Sequence, residues 1–176
     1  MTLTPKEIIA GSTIEILTFA TPPTIIHFPG ALHASWRKSL PNEWKRDYPD
    51  IFDDDDLRLA RSRPHHHFCE WLSAIHIFHR DGALSLVEKY GYTQSERKVG
   101  VLNEHFPHLV PFLRGFRKRF GVQPPDLFIY QPGSPAFRFA EVKGPGDHLR
   151  KEQVASHTAI TKEWGAPVEI IEVREQ

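Results

Sequence analysis

The stretch PDLFIYQPGSPAFRFAEVK, residues 125–143, sets two short runs of aromatic and branched residues on either side of a turn, and its reading decides the fold. LFIY (127–130) and FRFAEV (137–142) have the composition of strands, and Gln131-Pro132-Gly133-Ser134-Pro135-Ala136 between them is turn chemistry, so a β-hairpin is predicted. If Tyr130 and Phe137 close the loop as a pair, paired residue numbers add to a constant and Asp126 falls opposite Glu141. Directly opposed residues carry Cβ atoms roughly 4.5–5.5 Å apart. Two carboxylates that close repel each other unless a cation lies between them. A hard divalent ion suits such oxygen donors.

The period of two along a strand sends Glu141 and Lys143 to one face, roughly 6.5–7 Å apart, and Val142 to the other, into the core. Carboxylate and ammonium then share a site. In metal-assisted phosphodiester hydrolysis carboxylates hold Mg²⁺ or Mn²⁺, and a cation stabilises the accumulating charge or positions the attacking water, a role that fits Lys143. Taken alone, a Glu-x-Lys of this kind reads more readily as an ordinary cross-strand ion pair, because short motifs match by accident.

The sequence that follows changes the balance. Glu141-Val142-Lys143-Gly144-Pro145-Gly146-Asp147-His148-Leu149, then Gln153 in a helical stretch and a last strand PVEIIEV (167–173), resembles the VRR-NUC family, a branch of the PD-(D/E)XK nuclease superfamily. The resemblance covers residues 125–173, and the EVKGPGD run is its specific part. It implies an α/β fold with a restriction-endonuclease-like core, a mixed central sheet flanked by helices, here with a helical insertion and an N-terminal extension. It also implies a metal and phosphate site built from Asp126, Glu141, Lys143 and Gln153, with the Val142 carbonyl as a further metal ligand and Mg²⁺ or Mn²⁺ as the cofactor. His148 stands where the family usually has arginine; this weakens the phosphate contact expected there, leaves the metal ligands untouched, and keeps His148 among the candidate nucleic-acid-binding residues.

Apart from the resemblance, Gly144-Pro145-Gly146 lets the chain turn sharply off the strand, and Asp147 is expected to cap a helix that opens near Leu149. Leu149, Gln153, Ile160 and Trp164 share one side of that helix, which turns Gln153 toward the sheet. The bland alternative for Gln153 is a solvated residue at the edge of the stripe.

A fourth acidic group is expected upstream, since the first core helix of the wider superfamily contributes a glutamate. PHHHFCEWLSAIHIFHRDG (64–82) is apolar at Phe68, Trp71, Leu72, Ile75 and Phe78 and stops at Asp81-Gly82, a helix with proline near its start. Glu70 in its N-terminal half is the candidate metal ligand; a solvated carboxylate favoured by the helix dipole is the competing reading. Glu88, in SLVEKYG, is the other choice.

ALSLVEKYG (83–91), SERKVGVLNEHF (95–106) and HLVPFLRGFRKRFG (108–121) all read as helical, a predicted insertion over about 83–121 between residue 61 and the core at 125–173. Larger members of the family carry such an insertion and compact ones tend to be dimers, so a homodimer is left open. Within FLRGFRKRF, Arg114, Arg117, Lys118 and Arg119 line the polar side of an amphipathic stripe formed by Phe112, Leu113, Phe116 and Phe120. The bland reading is a solvated face; next to a nuclease core, these cations are expected to track DNA phosphates.

The 176 residues, 40% hydrophobic, suffice for one core. Lys+Arg and Asp+Glu balance at 22 each, so the basic character is local and no basic carpet for nucleic acid is present. Asp53-Asp54-Asp55-Asp56 lacks the spaced ligands and glycine of a calcium loop and reads as a solvated turn or helix start. His65-His66-His67 with Cys69 invites zinc, but consecutive histidines on a helix splay about 100° apart and the spaced pairs of a structural zinc site are missing. Cys69 has no base at a diagnostic spacing and reads as a structural thiol. One cysteine excludes an internal disulfide, no stretch reaches transmembrane length, and Met1-Thr2-Leu3-Thr4 lacks a signal-peptide pattern, so a cytoplasmic setting without membrane partners is expected.

Residues 1–60 are the N-terminal extension, with TIEILTFA (13–20) and TIIHFPG (24–30) as two short strands that form a hairpin, followed by a loop-rich stretch around Pro41 and Pro49. The expectation assembled from these readings is a metal-dependent DNA nuclease acting by phosphodiester hydrolysis, with branched, flapped or free-ended DNA as the substrate the resemblance favours; RNA stays open. A nucleic-acid-binding module that keeps the fold without cutting is the first alternative, and a protein-interaction domain using the 13–30 hairpin is the second.

Overall fold

The computed structural model describes residues 22–91 and 95–176, so the expected strand at 13–20, and with it the hairpin, lies outside the described residues. The hairpin at the centre forms in the expected register. Strands β3 (Leu127–Tyr130) and β4 (Phe137–Lys143) run antiparallel with Tyr130 opposite Phe137 and Leu127 opposite Ala140. Continuing that register by one pair sets Asp126 opposite Glu141.

Around it, among the described residues, the sheet has five strands in the order β1-β5-β4-β3-β2. Strand β2 (Leu84–Val87) pairs antiparallel with β3, while β5 (Val168–Glu175) runs parallel to both β4 and β1 (Thr24–Phe28). The strand expected at 24–30 is therefore present, and it extends the sheet through β5. Helices α1 (Gly30–Trp36), α2 (Leu40–Asp47) and α3 (Asp54–Ser62) follow it, where a loop-rich stretch is expected from sequence. Pro41 sits in the first turn of α2, the position where its missing N–H costs nothing. The aspartate run opens α3: Asp53 accepts from the Asp56 N–H at 2.8 Å while the Asp56 side chain accepts from the Asp53 N–H at 3.1 Å. It is thus a helix start, but Asp56 is buried rather than solvated.

Helix α4 (Phe68–Asp81) begins four residues after Pro64, because His67 holds the left-handed conformation at φ 72° and interrupts any earlier turn. Gly82 at φ 65° stops it, a geometry that costs glycine little. Residues 83–91 correct a helical expectation: Leu84–Val87 is an edge strand. Its short apolar run carries no period that separates helix from strand, and in the fold it is covered on both sides, Val87 meeting one core cluster and Leu86 the other. The helical insertion accordingly comprises α5 (Glu96–His105), a 3₁₀ turn at Pro107–Leu109 and α6 (Val110–Phe120). Helix α7 (Lys151–Trp164) connects β4 to β5.

The sheet separates two apolar clusters. One joins α4 and the N-terminal helices to Leu127, Ile129, Ala140 and Val142, and includes Phe52 stacked on Trp71 at 3.8 Å between ring centroids. The other joins α5, α6 and Ile160 of α7 to Phe128, Tyr130 and Phe139. Alternation along β4 puts Glu141 and Lys143 on the same face as Phe139, toward α7. The architecture is an α/β core, a mixed sheet between helical layers, with a helical insertion and an N-terminal extension that supplies a strand beside β5. Among the described residues, no helix is long and apolar enough to cross a membrane.

Candidate active site

Strand β4 leaves the hydrophobic interior carrying Glu141, which is 3% exposed, and turns away immediately after Lys143. The turn has the chemistry of a type II turn: the Asp147 N–H donates to Gly144 O at 3.0 Å, Pro145 follows Gly144, and Gly146 holds φ 83°. Asp147 therefore closes this turn rather than capping α7. That role falls to Gln153, whose Oε1 accepts from the Arg150 N–H at 3.0 Å.

The same Gln153 is buried against the sheet, as its position on the helix requires, and its Nε2 donates to Glu141 Oε1. Lys143 Nζ donates to Glu141 Oε1 at 2.8 Å and reaches Gln153 Oε1 at 3.3 Å. Four residues along α7 from Gln153, His157 Nε2 approaches Glu141 Oε2 at 3.4 Å. Burial alone would raise the Glu141 carboxyl; hydrogen bonds from His157 and Lys143, with their charge, outweigh it and hold the group below its ordinary value. Three of the residues singled out from sequence, Glu141, Lys143 and Gln153, thus form one hydrogen-bonded unit. His157 is an addition to it. Its signal was available, since a step of four from Gln153 keeps to one helix face.

Asp126 lies at the entry to β3. Its Oδ2 accepts from the Val142 N–H at 2.8 Å, which ties it to β4, and Tyr90 Oη donates to the Pro125 carbonyl at 2.6 Å just before it. Burial pushes the Asp126 carboxyl well above its ordinary value, and the nearby charges of Glu141, Glu70 and Glu88 push it the same way. Glu70, in the first turn of α4, is raised to about 7 by burial and then by Glu88. The charges of both upstream glutamates thus act on Asp126. Cys69 stands beside the turn after β4: a Cβ on Gly144 would meet its Sγ at 3.3 Å. Burial and the surrounding carboxylates raise its thiol to about 12, which keeps it protonated and excludes a thiolate nucleophile at neutral pH.

Among the described residues, no three His, Cys, Asp or Glu side chains stand close enough together to form a ready-made metal cluster. The donor chemistry nonetheless suits a hard divalent cation. Asp126, Glu141, Glu70 and the Val142 carbonyl are all oxygen donors, and the charges of Glu141 and Glu70 add to burial in raising the Asp126 carboxyl. The histidine run offers no zinc site: His65 and His66 are exposed, while His67 Nδ1 donates to Glu88 Oε1.

The candidate nucleic-acid contacts are spread along another surface. Arg114, Arg117 and Lys118 are exposed on α6, and His148 is exposed beyond the turn. Arg119 is engaged within the protein, 2.7 Å from Glu163 Oε2 and lying over the Phe120 ring at 4.8 Å.

No protein-family model matches the chain, and no curated protein matches it significantly. Among solved structures it is similar, over 84% of its length, to paFAN1 bound to 2-nt 5′-flap DNA with a gap, at 21% identity and a TM-score of 0.35. It is similar over the same share to paFAN1 bound to 1-nt 5′-flap DNA with a gap, at 15% identity and a TM-score of 0.37. The chain spans 26% and 50% of the length of those two chains.

Proposed function

We propose that this chain is a Mg²⁺- or Mn²⁺-dependent deoxyribonuclease of the VRR-NUC type, acting on branched, flapped or free-ended DNA. The observation that carries the reading is the joining of Glu141, Lys143 and Gln153 into one buried hydrogen-bonded unit beside Asp126. An ordinary edge ion pair would be exposed and would not engage a buried glutamine from the next helix.

Asp126, Glu141, Glu70 and the Val142 carbonyl are the groups that would hold the ion. When bound, it supplies Lewis-acid polarisation of the phosphate and acidifies water at neutral pH. The rest of the work belongs to the chain's own residues. Gln153 and His157 fix the orientation of Glu141 by taking one oxygen each, with Lys143 on the same oxygen as Gln153. Lys143, anchored at 2.8 Å, presents a fixed positive charge to the pentavalent phosphorane-like arrangement and to the attacking water. The α6 cations Arg114, Arg117 and Lys118, and His148, would engage backbone phosphates at a distance from the chemistry.

The test is cleavage by the purified protein of flap, fork, four-way, single-stranded and duplex DNAs with Mg²⁺, Mn²⁺ or EDTA, beside Asp126→Ala and Lys143→Ala. Metal-dependent cutting that both substitutions abolish is expected. Cutting that persists in EDTA or in Asp126→Ala rejects the reading. One feature favours a non-cleaving DNA-binding module instead: both Glu141 oxygens already have protein partners. On that reading the wild type binds DNA, cuts nothing with any metal, and is indifferent to Lys143→Ala. A cytoplasmic setting is part of the proposal, checked by fractionation, and the oligomeric state that the sequence leaves open is read by sedimentation equilibrium of the purified chain.

A further inference from the structure

Among the described residues, three that are not glycine hold left-handed backbone: His67 at φ 72°, Glu88 at φ 42° and Lys89 at φ 49°. Two of the three grip each other, His67 Nδ1 donating to Glu88 Oε1 in a setting where the side chains are 9% and 18% exposed. The other ring nitrogen, His67 Nε2, is enclosed and makes no hydrogen bond among the described residues. Left-handed backbone outside glycine and an orphaned buried nitrogen are both unfavourable, and they persist where surrounding structure imposes them. His67 also occupies the N-cap of α4 without capping it, so its side chain serves Glu88 instead of the helix.

The pair joins the two segments that carry the upstream acids. On one side, His67 precedes the first turn of α4, where Glu70 sits. On the other, the Glu88 N–H donates to the Asp126 carbonyl at 2.8 Å, and the Glu88 carbonyl accepts from the fully buried Lys98 Nζ at 3.1 Å. Glu88 is thereby fixed to the entry of β3, and His67 hangs the start of α4 from it.

We infer that His67 and Glu88 form a strained latch whose role is to position Glu70 against Asp126. The inference rests on the proposal that these carboxylates belong to a metal-dependent nuclease site, and it makes His67 and Glu88 positioning residues rather than catalytic ones. A contact kept only for stability would not need left-handed backbone on both sides of it.

The deciding variant is His67→Gly, because glycine accepts φ 72° readily and the fold is spared while the latch is cut. Glu88→Gln, which keeps a hydrogen-bond acceptor for His67, is the conservative partner. Each is compared with wild type for melting temperature, for amide hydrogen exchange across α4, for Mn²⁺ binding to DNA-free protein by calorimetry, and for cleavage of a 5′-flap DNA. In His67→Gly the melting temperature should hold or rise while the amides of residues 68–71 exchange at least about tenfold faster than in wild type. Mn²⁺ affinity and cleavage should fall roughly 10- to 100-fold, the range for losing a residue that orients a metal ligand, with Glu88→Gln losing less. Unchanged exchange in the first turn, or a fall in melting temperature that accounts for the whole loss, overturns the latch. A wild type that neither binds Mn²⁺ nor cuts any DNA sinks the nuclease proposal, and the exchange data still decide the latch on their own.

Discussion

Two charged clusters, one buried and one partly exposed, meet at the end of β2, and they resolve their charges in opposite ways. In the first, Asp56 and Lys98 are 3% and 0% exposed, and Lys98 Nζ donates to Asp56 Oδ1 and to the Val87 carbonyl, each at 2.5 Å. Arg97 reaches both Asp53 and Asp56, and Ser95 Oγ donates to Asp53 at 2.5 Å. Every carboxylate there has a cation or a donor. In the second, burial and then the charges of Glu141, Glu70 and Glu88 raise the Asp126 carboxyl, burial and then Glu88 raise that of Glu70, and the Lys143 ammonium is committed to Glu141 and Gln153. The lesson runs against first impressions of the sequence. A run of four aspartates looks like a cation site and has its buried carboxylate paired with Lys98 and Arg97, whereas Glu70 and Glu88, remote from Asp126 in sequence, raise its carboxyl instead of neutralising it.

With the proposed function placed in one cluster and stability in the other, substitutions can break the contrast. Asp126→Asn should give the largest effect, a fall in metal-dependent cleavage of about a thousandfold or more, equivalent to about 4 kcal/mol. Its melting temperature should match or exceed that of wild type, because a repelling charge is gone; kinetics and calorimetry on one preparation check both. Lys98→Met should do the reverse, costing about 3 kcal/mol of stability by leaving Asp56 buried without its cation. Urea denaturation reads that loss directly, and a variant as stable as wild type would dissolve the distinction between the clusters.

The pH dependence sharpens it further. Glu70, raised from 4.5 to about 7, holds its proton more tightly in the folded protein than in the unfolded chain. Its contribution to stability is therefore present in full below pH 4.5 and is lost as pH rises through 7. In EDTA the protein should lose on the order of 3 kcal/mol across that window, the interval from 4.5 to about 7 at about 1.36 kcal/mol per pH unit, and Glu70→Gln should flatten the loss. Added Mn²⁺ should oppose it; a stability that rises steadily from pH 5 to 8 in EDTA would contradict the charge excess. The smallest effect belongs to the surface of α6. Arg114→Ala and Lys118→Ala should each lower the slope of log affinity against log salt by about 1 or less, with little change in the cutting rate. Slopes unchanged in both variants would remove α6 from the DNA interface.

The hairpin was legible because its information is local. Turn residues at 131–136 set the loop, Tyr130 and Phe137 close it, and the register then carries to Asp126 and Glu141 without further assumptions. Gln153 was legible for a similar reason, since helical period alone turns it to the sheet. What escaped depends on partners remote in sequence. Leu84–Val87 becomes a strand because β3 offers it an edge, and the residues from 30 to 62 become helices because Trp36, Leu40, Phe52 and Ala60 find an apolar cluster built by α4. The pairing of His67 with Glu88, like that of Asp56 with Lys98, joins residues 21 and 42 positions apart through the tertiary fold, and no spacing rule encodes either.

Strand β5 has a consequence for how the protein is made. It lies between β1 and β4, with Ile171 beside both Thr24 and Val142. A nascent chain on the ribosome can pair β2, β3 and β4 before β5 exists, but the pairing of β1 with β5 must wait through the synthesis of more than a hundred further residues. Closing so long a loop is slow and leaves strand edges open to wrong partners meanwhile. Assembly of the sheet is thus governed by the last strand to emerge, and the acidic site completes its surroundings only when that strand slots in.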